Sequence, residues 1–92
     1  MTAMDIENVF TSKFRIKTLE VLARVGELNV SEIARRLGVN YVTINAHLKV
    51  LEDEGLIVHK QFGRMRLYRF NPNSRKAEAV LNLLEVWEKQ DK

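Results

Sequence analysis

Along this chain the spacing of apolar residues switches from helical to alternating and back, and the switches fall at glycines and asparagines. Asp5 to Phe10 predicts a short helix. Ser12 to Val25 predicts a stronger one, with Phe14, Leu19, Leu22 and Val25 near helical spacing until Gly26 stops it. Leu28 and Val30 flank Asn29 in the pattern of a single short strand. Asn29 and Glu32, three residues apart, have the spacing of an N-cap and its reciprocal partner, opening a helix to Leu37 that buries Ile33, Ala34 and Leu37. The turn Gly38-Val39-Asn40 ends that helix and caps the next, because the Asn40 side-chain oxygen can accept from the orphan amides of a first turn. In the helix that follows, Ile44, Leu48 and Leu51 stand at i, i+4 and i+7 as a buried stripe. Gly55 ends it, since glycine tolerates the left-handed C′ conformation.

Two strands come next. Ile57 to Gln61 and Arg66 to Phe70 are rich in β-branched, aromatic and long side chains, and Phe62-Gly63-Arg64 between them supplies a turn glycine. Alternation puts Arg66, Tyr68 and Phe70 on one face of the second strand and Met65, Leu67 and Arg69 on the other, with Tyr68 and Phe70 expected inward. Pro72 suits the first turn of a last helix capped by Asn71 or Asn73. That helix carries Ala77, Val80, Leu81, Leu84 and Trp87, and Leu83 and Val86 widen its stripe beyond what one core contact needs, which points to a partner. The predicted order is helix, helix, strand, helix, helix, strand, strand, helix, the pattern of a helix-turn-helix followed by a basic hairpin.

A chain of 92 residues with 46% hydrophobic content has room for one domain, residues 1–92, with 71–92 as its dimerisation helix; a second, catalytic domain would not fit. Apolar stretches are short and interrupted by charge, so neither a transmembrane helix nor a signal-peptide core is expected, and the cytoplasm is the expected location. The absence of cysteine removes disulfides, thiol nucleophiles and thiolate metal sites. A net charge of +3 is too small to identify a nucleic-acid partner by itself. Its distribution says more. From His59 to Phe70 the basic residues Lys60, Arg64, Arg66 and Arg69 occur with no acid among them, directly after the acidic run Glu52-Asp53-Glu54. That run stands at a helix C-terminus, where the dipole disfavours negative charge, and is expected to be a solvated end. His47 and His59 have no recognisable pair spacing and are expected to pack or to bond phosphate. No Gly-rich phosphate loop, nucleophile motif or histidine–carboxylate constellation suggests an enzyme.

The runs SKFRIKTLEVLARVGELNVSEIARRLGV and VTINAHLKVLEDEGLIVHKQFGRMRLYRF resemble the winged helix-turn-helix of ArsR-type transcriptional regulators over nearly the whole chain. The resemblance implies a mainly α fold with a small β-hairpin, flanking terminal helices, and a homodimer acting on double-stranded DNA. Metal-sensing members resemble this chain at ELNVSEI but carry cysteines there, where this sequence has Asn29 and Ser31. A second metal site of the family uses terminal-helix histidines, and residues 74–92 have none; Glu78, Glu85 and Glu88 alone suit a transition metal poorly. No metal and no other cofactor is expected.

With Ile44, Leu48 and Leu51 inward, the outward face of the recognition helix is Tyr41, Val42, Thr43, Asn45 and Ala46, followed by Lys49. Asn45 can pair bidentately with adenine, Val42 and Ala46 can touch a thymine methyl, Thr43 can bond a base edge or phosphate, and Lys49 can reach the backbone. The bland alternative is a solvated helix face. Arg35 and Arg36 on the preceding helix would lie near flanking phosphates, or form an ordinary charged surface. Lys60, Gln61, Arg64 and Arg66 would sit at or beside the hairpin tip, entering a minor groove or contacting phosphates, unless they serve only to discourage edge pairing, and Arg66 is also placed to lean inward. Val80, Leu81, Leu84 and Trp87 are the expected dimer interface. The alternative function is a winged-helix module that binds another protein in a larger assembly.

Overall fold

Residues 6–90 are described by the computed structural model, and their elements follow the predicted order. They are α1 (Ile6–Phe10), α2 (Lys13–Val25), β1 (Glu27–Asn29), α3 (Val30–Leu37), α4 (Tyr41–Asp53), β2 (Ile57–Phe62), β3 (Met65–Phe70) and α5 (Arg75–Gln90). Asp5, the expected first residue of α1, lies outside the described residues. Val30 opens α3 instead of closing the strand, because Asn29 leaves β1 as an N-cap whose Oδ1 accepts the Glu32 amide at 2.8 Å. The reciprocal half of that expected box is not made. The Glu32 carboxylate turns to the guanidinium groups of Arg35 and Arg36, and charge-assisted bonds outcompete one to a neutral amide.

Between α3 and α4 the chain reverses over three residues. Gly38, at φ +72°, donates to Arg35 O at 3.2 Å while Val39 donates to Ala34 O at 3.1 Å, the two bonds of a Schellman ending. Asn40 then caps α4, its Oδ1 accepting the Thr43 amide at 2.8 Å. The exit from α4 repeats the device, with Gly55 donating to Glu52 O at 2.9 Å and Leu56 to Leu51 O at 3.0 Å. Both ends of α4 are therefore fixed by local chemistry.

The sheet has the order β1-β3-β2, all antiparallel, with β3 in the centre. Leu28 faces Tyr68 in one register and His59 faces Tyr68 in the other. Phe62 pairs with Met65, so the turn contracts from the expected three residues to Gly63-Arg64. Gly63 takes φ +59° while Arg64 keeps negative φ, which matches a II′ hairpin turn and its preference for glycine at the first position. At the start of α5 the expected caps are replaced. Asn71 Oδ1 accepts the Asn73 amide and its Nδ2 donates to Gly55 O at 3.1 Å, so the side chain is spent bracing the turn that contains Pro72. Ser74 caps α5, its Oγ accepting the Ala77 amide at 3.1 Å.

Leu19 and Leu22 of α2, Ile33 of α3, Ile44, Leu48 and Leu51 of α4, Leu56 and Ile57, Tyr68 of β3 and Ala77 of α5 form the buried core. Leu37 and Phe70, both expected inside, sit half-buried at its edge. Among the described residues no helix is long and apolar enough to cross a membrane.

Candidate nucleic-acid interface

Because α4 turns Ile44, Leu48 and Leu51 fully inward, the other side of its first turns faces solvent. Tyr41 is 54% exposed, Val42 79%, and Ala46 and Lys49 are exposed as well; Thr43 is half-buried. Lys49 Nζ lies 3.2 Å from Asp53 one turn on. Arg35 and Arg36 both bond Glu32, with Arg36 Nε at 2.9 Å. The Arg35 hydrogen bond, followed by that from Arg36, holds the Glu32 carboxyl below the usual range. These pairs are screened by solvent and weak, so they are readily exchanged for a phosphate.

The wing lies against α4 through a polar seam. Arg66 shares a face of β3 with Tyr68, donates to the Tyr68 hydroxyl at 2.9 Å from one nitrogen and bonds Asn45 Oδ1 with another. Asn45 Nδ2 in turn donates to Tyr41 O at 3.0 Å. Hydrogen bonding from Arg66, and then from Asn45, lowers the Tyr41 phenol below its ordinary range, whereas burial raises that of Tyr68. Farther along α4, Glu52 lies 2.7 Å from His59 Nδ1, and the His59 ring leans on Tyr68 with centroids 5.1 Å apart. Asn45, expected to point outward at a base, is half-buried and has its amide engaged at both ends.

At the tip, Arg64 is exposed, and among the described residues no hydrogen bond or ion pair holds it. Phe62 and Met65 flank it, 55% and 46% exposed. Lys60 lies 3.5 Å from Glu27 and over the Phe62 ring. A cleft of about 390 Å³ opens among this tip, the β1–α3 junction at Asn29, Val30 and Ser31, and the start of α4, and both Tyr41 and Arg64 line it.

The acidic run is solvated only in part: Asp53 is exposed and Glu52 half-buried, but Glu54 departs from the expected solvated end. Glu52 pairs with His59, Asp53 with Lys49, and Glu54 is buried, its carboxylate 3.0 Å from Lys76 Nζ. Lys49 and Lys76 offset the unfavourable helix dipole at Asp53 and Glu54. His47 is half-buried between α4 and α2, its Nδ1 accepting from Arg15 Nε at 3.1 Å and its ring tilted against Phe14. Burial, and secondarily the Arg15 charge, lower its pKa. Among the described residues no three His, Cys, Asp or Glu side chains group as a metal site.

On α5 the expected interface residues separate. Ala77, Val80 and Leu84 form the row that packs on the protomer's own core, so Val80, at 9% exposure, is largely used within its own chain; Leu81 is half-buried. Leu83, Val86 and Trp87 form a second row left in solvent, with Trp87 69% exposed. Arg24 of α2 bridges to Glu88 at 3.2 Å beside it.

A helix-turn-helix whose second helix is flanked by an antiparallel hairpin and a third short strand defines a winged helix-turn-helix domain. Residues 12–58 match the model of the bacterial regulatory proteins of the arsR family, and the chain belongs to that family. YuzN, an uncharacterized HTH-type transcriptional regulator of Bacillus subtilis, is 36% identical over 75 residues, which span 75% of this chain and 76% of the relative. Among solved structures, HlyU from Vibrio cholerae superposes with a TM-score of 0.75 at 24% identity, covering 87% of this chain and 84% of HlyU. The homodimeric winged helix-turn-helix DNA-binding domain Mb0332 from Mycobacterium bovis gives 0.73 at 22% identity, covering 99% and 93%. At these identities the two superpositions speak for the fold. Together with the family match, they establish the protein as a winged helix-turn-helix transcriptional regulator of the ArsR family.

Proposed function

We propose that this regulator binds double-stranded DNA sequence-specifically as a homodimer, with α4 in the major groove and the wing at the adjacent minor groove or backbone. The observation that carries the reading is the cleft lined by Tyr41, at the start of the exposed α4 face, and by Arg64, which has no side-chain partner among the described residues. Val42 and Ala46 meet thymine methyls, Tyr41 and Thr43 reach base edges or phosphate, and Lys49 reaches the backbone. Arg35, Arg36, Lys60 and Arg64 bring positive charge to phosphates, the first three by exchanging their exposed carboxylate partners.

One such helix reads only a few base pairs, so a specific site requires two. The solvent-facing row Leu83, Val86 and Trp87, with Leu81 and Leu84 at its margin, supplies an apolar surface for a second copy. The homodimeric state of Mb0332 supports this arrangement. Selection of bound duplexes from a random pool tests it: a palindromic consensus, bound with an affinity that falls steeply with salt, is expected. Absence of any duplex binding at low salt would overturn it in favour of a protein-binding module.

A further inference from the structure

We propose that Arg66 is a positioning residue that ties the wing to the recognition helix through Asn45, so that the wing tip and α4 meet one duplex as a rigid pair. In this arrangement Asn45 anchors the strut and does not read a base. The inference rests on the DNA-binding reading above.

Three observations converge on it. Bidentate recognition of adenine needs both the oxygen and the nitrogen of an asparagine amide. In this protein the Asn45 oxygen accepts from Arg66 and the nitrogen is turned back along α4 onto Tyr41 O at 3.0 Å. The Arg66 guanidinium is half-buried, lies 5.6 Å from the Tyr68 ring centroid and spends separate nitrogens on Tyr68 and Asn45. The planar fork reaches the two acceptors from two separate nitrogens, whereas a lysine would have to serve both from a single one, so this site favours arginine over lysine more than a plain phosphate contact would. Position is the third observation. Arg66 stands two residues from Arg64 and beside the turn, whereas the other tie of the seam, Glu52 with His59, lies near the far end of α4. Without Arg66 the hairpin is still held by β1 along β3 and by the Glu52–His59 contact at its base, but its tip loses its tie to the first turns of α4.

A tip no longer set against α4 meets the duplex at a less fixed distance and angle, and part of the advantage of simultaneous engagement is lost. The contribution of Arg64 therefore depends on Arg66, although the two side chains do not touch a common DNA group.

The test measures affinity of the full chain for the selected duplex by fluorescence anisotropy, with folding checked by circular dichroism. Arg66→Lys, Arg66→Ala and Asn45→Ala are each expected to weaken binding by about tenfold, and the Asn45→Ala/Arg66→Ala double variant by no more than either alone. Arg64→Ala is expected to weaken binding in the wild-type background and to add little in Arg66→Lys. The proposal is overturned if Arg66→Lys keeps wild-type affinity, if the Arg64 and Arg66 losses multiply, or if Asn45→Ala relaxes preference at one base pair only. A readout without DNA accompanies these. The phenol absorbance of Tyr41, identified by its loss in Tyr41→Phe, should titrate below the ordinary tyrosine range and move up in Arg66→Ala and Asn45→Ala; an unmoved titration means there is no strut in solution. A wild-type chain that binds no duplex would defeat the DNA-binding reading, while the Tyr41 titration would still decide the strut.

Discussion

α4 and α5 are both long amphipathic helices, yet the fold completes one and leaves the other unfinished. In α4 the stripe Ile44, Leu48 and Leu51 is wholly buried, and the residues left outside are small, polar or cationic apart from Tyr41 and Val42. In α5 only Ala77 and Val80 are buried, and Leu83, Val86 and Trp87 remain in water. The difference indicates what each helix is waiting for. A methyl-bearing, hydrogen-bonding face near an exposed arginine matches a groove lined by phosphates, whereas a row of large apolar side chains gains only by meeting another apolar surface.

Core truncation should expose the contrast most strongly. Leu48→Ala removes a side chain that is fully enclosed and should cost about 2–5 kcal/mol in denaturant unfolding. Leu83→Ala, in the outer row of α5, should change the stability of the monomer by no more than about 0.5 kcal/mol. Equal losses would mean that α5 is as finished as α4. Next in size is assembly. Leu83→Glu places a carboxylate in the exposed row without disturbing the inner row of Ala77, Val80 and Leu84, so folded monomers are expected where wild type sediments as a dimer. Wild-type monomers at tens of micromolar, on the order of weak-association working concentrations, would remove the assembly role of this face.

The caps offer a finer comparison. Asn40→Ala and Ser74→Ala each delete one side-chain acceptor at a helix start and should each cost about 1 kcal/mol of stability. Only the first should also weaken DNA binding beyond the loss of folded protein, because Asn40 sets the first turn of α4, where Tyr41 and Val42 stand. A matching DNA effect from Ser74→Ala would blur the division of labour between the two helices.

Much of this arrangement is legible in the order of residues, and the exceptions share a cause. Helical spacing, the Gly38 and Gly55 endings and the Asn40 cap are local, and local chemistry decides them. Period two alone puts Arg66 on the face of Tyr68 and hence toward α4. The identity of its acceptor is not local, since Asn45 lies 21 residues away. The burial of Glu54 similarly depends on Lys76, 22 residues on, so Glu54 reads as part of a solvated end until the tertiary fold supplies that cation. On α5, two adjacent apolar rows are evident from spacing, but which one faces inward depends on where the remaining core lies. Val80 and Leu84 are thus drawn inside, and Leu83 and Val86 stay out.

The smallest expected effect concerns pH and again separates the two helices. α4 has a titratable side chain in its contact with α2, His47, whose Nδ1 accepts the Arg15 Nε–H; the buried residues of α5, Ala77 and Val80, have none. That bond requires the neutral imidazole, and both burial and the Arg15 charge hold the His47 pKa below its ordinary value. The unfolded chain therefore takes up the proton first. Stability from this site is fully present above about pH 6.5, the ordinary histidine value, and is lost as pH falls through that value toward the lower folded one. His47→Asn, whose side-chain oxygen can replace Nδ1 as acceptor without titrating, should flatten this part of the stability profile. Thermal unfolding of both proteins between pH 5 and 8, the range in which histidine charge changes, makes the comparison. An identical acid slope in the variant would show that α4 holds its place against α2 without the Arg15–His47 bond.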